Sequence, residues 1–512
     1  SLASSANKLQ NVIVKADDGS VIIVSGNDKA GDLNVKTDGT IGGTLSITNV
    51  ANGAENDIVI EQNLLANGSI TINNQEAGIN LGKDVRITSN IGGINITALK
   101  NMFSAGIIDA ANGIVLEAIN NILDITGGSI IAKGGSIALH GKGGINNGAS
   151  ITAKGNVGLY STGGSITNSA NITAGHNFAS ATRRAAFYSL RAVAQETEET
   201  GSVTMSGKDG VTNTANASVS AEQSVSMTST AGSVNNSSVV TSNSGSVVIS
   251  GQTGVTNKGA VTATDGSVTM SGSSVDNTAN IIAGSDVSMN ATTGNVQNSG
   301  TIVADQSVGI TADAGTVSNS SAVTTTGGSV EISGSSVTNK GAVTATGGSV
   351  TMSGDGGVDN SANITAKDSV NISADAGAIT NSSSVTSEEG NIVLTSNKGI
   401  TSTGEGALLK TESLNGSISA ATTYGEVNIT EIAAGKTASA SSQSGSVIIG
   451  TVAGNDVVLT SGGSVTIDTV SGNDVAISGG SNSDVNVDNI TVDNSLKLQG
   501  DDITVNKVAS GN

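Results

Sequence analysis

A chain of 512 residues with 69 Gly, no Pro, no Cys, no Trp and only six aromatic residues has no disulfide framework, no thiolate site and few large side chains to fill a thick core. Twenty-two Lys and Arg against 42 Asp and Glu give a formal charge of −20, which leaves no broad basic surface for nucleic acid or an anionic membrane. The absence of Pro beside abundant Val, Ile, Ser, Thr and Asn argues against disorder and for a chain hydrogen-bonded along nearly every segment.

No apolar run reaches the length of a membrane span. The start, Ser1-Leu2-Ala3-Ser4-Ser5, lacks the basic and apolar regions of a signal peptide, so an exported chain is expected to be a processed form or a fragment.

Residues 1–130 carry apolar pairs such as Ile70/Ile72, Ile94/Ile96 and Ile114/Leu116 at spacings of 20 to 25, which predict irregular coils with variable loops. Residues 131–175 are more regular: Ile145-Asn146-Asn147 is followed by Ile151, and Ile166-Thr167-Asn168 by Ile172. Residues 176–200 break the pattern. They hold Phe178, Arg183, Arg184, Phe187, Tyr188, Leu190 and Arg191 and then three Glu, and Phe187, Leu190 and Ala194 share one face of a helix. The segment reads as a helical or loop insertion extruded from the wall, with Phe178, Phe187, Tyr188 and Leu190 covering the core.

From 201 to 400 a unit of 19 to 22 residues repeats. Its first element is an apolar pair at i and i+2: Val203/Met205, Val225/Met227, Val247/Ile249, Val268/Met270, Val287/Met289, Val308/Ile310, Val330/Ile332, Val350/Met352 and Val370/Ile372. The two-residue period puts both members on one face of a strand, so these pairs are the candidate core stack. Its second element is a Val or Ile two residues before Asn213, Asn236, Asn257, Asn277, Asn298, Asn319, Asn339, Asn360 and Asn381, spaced 20 to 23 apart. Its third element lies four residues after that Asn, as at Val240, Val261 and Ile281, and slips to Val219 in the first unit.

Three short strands per unit, each too short to bury its apolar face alone, describe an all-β fold: a right-handed parallel β-helix with triangular coils of about 21 residues. Asn tolerates the left-handed backbone of a corner, and stacked amides hydrogen-bond along the axis, so the nine Asn form a structural ladder. About 24 coils at ~4.8 Å each make a rod on the order of 110 Å long. Residues 401–512 continue with a tighter recurrence, Val457/Leu459, Val465/Ile467, Val475/Ile477 and Val485/Val487, every 8 to 10 residues.

The unit Val-x-Asn-x-Gly-x-Ile/Val-x-Ala, as in Val296–Ala304 and Val255–Ala263, resembles the repeats of filamentous haemagglutinin-type exoproteins over about residues 130 to 400. The resemblance implies a bacterial cell-surface or extracellular rod, often exported by two-partner secretion, with a role in adhesion or biofilm. Its implied partner is a receptor on a host or neighbouring cell. The chain departs from the family in lacking the Asn-Pro motifs of the secretion domain.

Two other classes are weighed against this reading. A head-to-tail filament would join copies through open β-helix ends, since an uncapped strand edge is a template for another chain. A polysaccharide-degrading β-helix enzyme would need clustered carboxylates or a Ca²⁺ site and aromatic sugar platforms, and His140 and His176, the two histidines, sit in unrelated contexts. No catalytic residue and no cofactor is expected; Asp-rich turns near the C-terminus could hold Ca²⁺ weakly.

Overall fold

The computed structural model describes residues 2–4, 11–25, 32–50, 56–178 and 201–510. Every regular element among them is a β-strand, and there is no helix. Short strands pair in parallel with their counterparts about 21 residues away, which makes the fold a parallel β-solenoid. The chain divides into two compact units, Ser1–Thr269 and Met270–Asn512.

In the first unit, three strands per coil build three sheets. The first sheet collects five-residue strands such as Val203–Gly207, Val225–Ser229 and Val247–Gly251. The second collects Gly210–Asn213, Ser233–Asn236 and Gly254–Asn257, and the third Val219–Ala221, Val240–Ser242 and Val261–Ala263. Alternate side chains point inward. Val203, Val225 and Val247 are direct register partners, as are Met205, Met227 and Ile249, and all six are fully buried.

Each coil contributes few apolar side chains, but stacking places each against the like residue above and below. Burial therefore accumulates along the columns rather than within a coil.

The register closes across the irregular segment. Val157 pairs with Val203 and Ile166 with Val211, so the coil absorbs the extra length without shifting its strands. From residue 179 the expected helix or loop, with Phe187, Tyr188 and Leu190, lies outside the described residues. Phe178 is half-buried, and its ring meets His176 edge-on at 4.7 Å.

The second unit repeats the plan. Its first sheet includes Val287–Ala291, Val350–Gly354, Val370–Ala374 and Ile392–Ser396, with Val350 and Met352 stacked on Val330 and Ile332 and under Val370 and Ile372. Met270, the first residue of this unit, is likewise fully buried, as is Val268 in the first unit. After residue 425 the corner between second and third sheets straightens. Val427–Ala433 and Val447–Ala453 each serve both sheets, and Val465–Ser478 runs through all three.

This explains the recurrence every 8 to 10 residues. Val457 pairs with Val475 and Val465 with Val485, so neighbours in that series are alternate strands of one coil.

Corner chemistry follows corner length. Gly354 lies four positions before the inward-facing Val358, and a Cβ there would sit 2.3 Å from the carbonyl oxygen of Gly357, whose φ of +141° suits only glycine. Ala374 lies five positions before Ile379, and that corner accepts a side chain in the equivalent place.

Candidate functional site

The candidate residues fall on two kinds of inward column. In the first unit Asn147 donates from Nδ2 to Oδ1 of Asn168 at 2.7 Å, Asn168 to Asn213 at 2.9 Å, and Asn213 to Asn236 and Asn236 to Asn257 at 2.8 Å each. In the second unit the same bond links Asn277, Asn298, Asn319 and Asn339 at 2.8 Å, and Asn339, Asn360 and Asn381 at 2.7 Å. That column ends where Asn381 donates to Oγ of Ser402 at 2.9 Å. All of these amides are at most 1 % exposed.

The second amide hydrogen is also used. Asn277, Asn298, Asn319, Asn360 and Asn381 each donate to the carbonyl oxygen two residues ahead, at 2.7 to 2.9 Å. A buried amide left unpaired costs about 1–3 kcal/mol, so both donors being satisfied lets a polar residue occupy a core position. The columns stop at apolar rungs. The register partner of Asn147 in the preceding coil is Ile125, and that of Ser402 in the following coil is Ile429, both buried.

Three ladder members fall outside the nine expected. Asn147 and Asn168 obey the same two-residue offset after Ile145 and Ile166, a signal present in the sequence. Ser402 carries none, because only its register opposite Asn381 makes it the terminus. A shorter polar column at the end of the first sheet, Asn49 to Asn74 at 3.1 Å, was equally hidden by the irregular spacing of the early coils.

Groups able to do chemistry are spread over the outer faces. His140 and Tyr160 are neighbours in the first sheet with ring centroids 5.1 Å apart and planes at 21°, and Glu117 faces His140 from the preceding coil. The signal for this stack was the equal placement of each ring directly after a core Leu, Leu139 and Leu159. Asp109, nearly buried in the third sheet, is paired with Lys133 at 2.8 Å.

Lys367 lies 2.5 Å from Glu389 and 3.6 Å from Glu388 at a corner, and hydrogen bonding to Glu389 raises its pKa. Hydrogen bonds from Ser495 and Asn494 lower that of Asp474. Among the described residues no three His, Asp or Glu side chains gather as a metal site, and no helix is long and apolar enough to cross a membrane.

Set against known families, curated proteins and solved structures, the chain matches none of them.

Proposed function

We propose that the chain is a structural and adhesive rod of the filamentous haemagglutinin type, exported to the cell surface or the medium. The observation that carries the reading is the asparagine column from Asn277 to Ser402, in which each of the six amides donates along the column and five of them also donate to a carbonyl oxygen. Its polar groups are spent on locking each coil to the next, which is what a scaffold under lateral load needs and an active site does not. The outer strands support it too: their solvent-facing positions are mostly Ser, Thr and Asn, as at Thr351, Ser353, Asn371 and Ser373.

In this reading the partner is a receptor on a host or neighbouring cell, and the chain performs no catalysis. The test is immunogold labelling of intact producing cells together with negative-stain microscopy of the purified chain. Surface label and discrete rods support the proposal. Label confined to the cell interior overturns it, as does release of new reducing ends from any member of a polysaccharide panel.

A second reading, head-to-tail assembly into a filament, has its own observation. In the last described coil the side chains that continue the core columns are open, with Leu496 39 %, Ile503 45 % and Val508 61 % exposed. Such an end accepts a further coil, whether from continuing chain or from a second copy. Long filaments that appear as concentration rises favour this reading; rods of constant length count against it.

A further inference from the structure

One stretch of the second unit departs from a smooth wall. Four consecutive strands of its first sheet, Val370–Ala374, Ile392–Ser396, Ile418–Thr422 and Thr437–Ser442, stack in register. Their last solvent-facing positions form a column in which Thr395 and Ser441 flank Ala421. The methyl group of Ala421 leaves a dip between two hydroxyl side chains.

The next residue of each coil turns the corner and forms a second column: Asp375, Asn397, Thr423 and Gln443. Backbone bonds hold it in step, from Asn397 N to Ala374 O, Thr423 N to Ser396 O and Gln443 N to Thr422 O, at 3.1 to 3.2 Å. Between the columns lies an open groove of about 330 Å³, within the range of about 300–1,000 Å³ usual for ligand clefts. The side chains of Ala374, Ser396 and Thr422 turn inward, so the floor is mainly backbone.

Two further features bear on what could lie there. Asn397 Nδ2 donates to the carbonyl oxygen of Asp375 at 2.5 Å, which fixes the amide on the wall. Tyr424 follows the wall residue Thr423, its backbone N–H donates to Asn397 O at 2.9 Å, and the residue is 74 % exposed.

The lining excludes several ligand classes. It has no apolar pocket for a lipid chain. A peptide strand would need an open sheet edge, and these four strands are paired on both sides. Nucleic acid is repelled by the net charge of −20. The hydroxyl, amide and carboxylate groups of the two walls match a ligand covered in hydroxyls, and Tyr424, exposed one residue after the wall residue Thr423, adds an aromatic ring outside the lining. Each coil adds one residue to each wall at the ~4.8 Å rise of the stack, a step comparable to one sugar residue of an extended glycan.

We infer that this groove binds a neutral glycan segment of about three sugar residues lying along the stacking direction, one residue per coil step. Asp375, Asn397 and Gln443 hydrogen-bond its hydroxyls, and Tyr424 packs on an outer sugar ring. The inference deepens the adhesive reading above by naming a ligand class.

The test titrates the full chain with soluble neutral oligosaccharides (cello-, xylo- and manno-series) by calorimetry, alongside Ala421→Gln, which fills the dip, Tyr424→Ala, and the double variant Asp375→Ala with Gln443→Ala. The expected result is binding of at least one series, weakened at least tenfold by Ala421→Gln and by the double variant and several-fold by Tyr424→Ala, with unchanged circular dichroism and melting. Three results overturn the inference: no neutral series binds, binding is indifferent to Ala421→Gln, or only acidic oligosaccharides bind. Failure of the groove leaves surface labelling and rod morphology intact, whereas failure of the rod reading shows in those two measurements, so the failures are distinguishable.

Discussion

Asn360 donates from Nδ2 to Oδ1 of Asn381 at 2.7 Å, while its other amide hydrogen meets the carbonyl of Ala362 at 2.8 Å. Both residues are fully buried. Each amide is thus donor to the coil ahead and acceptor from the coil behind, and the column has one direction throughout the second unit.

Asn360→Ala breaks this column at both of its joints. Asn339 loses the oxygen it donates to at 2.7 Å, and Asn381 loses a donor. Two buried groups at about 1–3 kcal/mol each, less relaxation, predict a loss of about 2–4 kcal/mol. Hydrogen exchange of the strands Ser336–Asn339 and Ala378–Asn381 is the measurement. Protection equal to the parent in both would refute a stabilising ladder.

Asn360→Asp adds a pH dependence the parent lacks. The new carboxylate still accepts from Asn339 but, once ionised, has no hydrogen to give Asn381 or Ala362 O. Burial and facing acceptors raise its folded pKa above the unfolded ~3.9. A raised pKa means the variant is closest to the parent below that value and loses stability as pH rises through the folded pKa. Denaturation midpoints across pH 3 to 8 that track the parent would contradict this.

The three-strand coil was legible because apolar residues at i and i+2 recur with the Asn at a fixed offset, and parallel stacking turns that recurrence directly into register. Val225 and Val247 could be aligned by eye. The straightened corners after Val427 were not legible, because the buried positions Val427, Ile429 and Ile432 slip by one residue at the bend just as they do between two separate strands. The ladder was readable where Asn repeats, and its terminus at Ser402 was not, since a lone Ser among many carries no periodic signal. The groove depends on Ala421 lying between Thr395 and Ser441 across 46 residues of chain, a relation that exists only after folding.

Gly354→Ala tests whether corner length dictates residue size. The added Cβ meets the Gly357 carbonyl at 2.3 Å and the Val337 backbone nitrogen at 3.0 Å, and neither is a flexible side-chain end. Overpacking of this kind costs about 1–3 kcal/mol. Ala374→Gly, in the longer corner, costs the backbone entropy of about 0.5–1 kcal/mol together with one buried methyl group at about 0.8 kcal/mol. A Gly354→Ala melting temperature equal to that of the parent would show that corner length does not dictate residue size.

Lys367 has a raised pKa because it hydrogen-bonds Glu389, with the charges of Glu389 and Glu388 adding to the effect. A raised lysine contributes stability that is complete below the unfolded value of ~10.4 and disappears as pH climbs through the folded one. Glu389→Gln should therefore lower the Lys367 pKa more than Glu388→Gln does, read by NMR of the side-chain carbon next to Nζ. The reverse order would reassign the main partner.

Asp474, in the strand Val465–Ser478, shows the opposite sign. Ser495 Oγ and Asn494 Nδ2 donate to its Oδ1 at 2.5 and 2.7 Å, and these bonds, Ser495 first, lower its pKa. The stabilisation is complete above the unfolded ~3.9 and is lost as pH falls through the depressed folded value. Asp474 and Ser495 are also register partners, so this contact helps hold the end of the strand Val485–Gln499, from Ser495 on, onto the coil beneath. Acidification should release exchange protection in that strand before it does so around Val457, whose rung is covered on both sides. Ser495→Ala should raise the Asp474 pKa toward the ordinary carboxylate range in carboxyl-carbon NMR and bring the release to higher pH. If the pKa rises while the release does not move, the contact tunes the carboxylate without holding the coil.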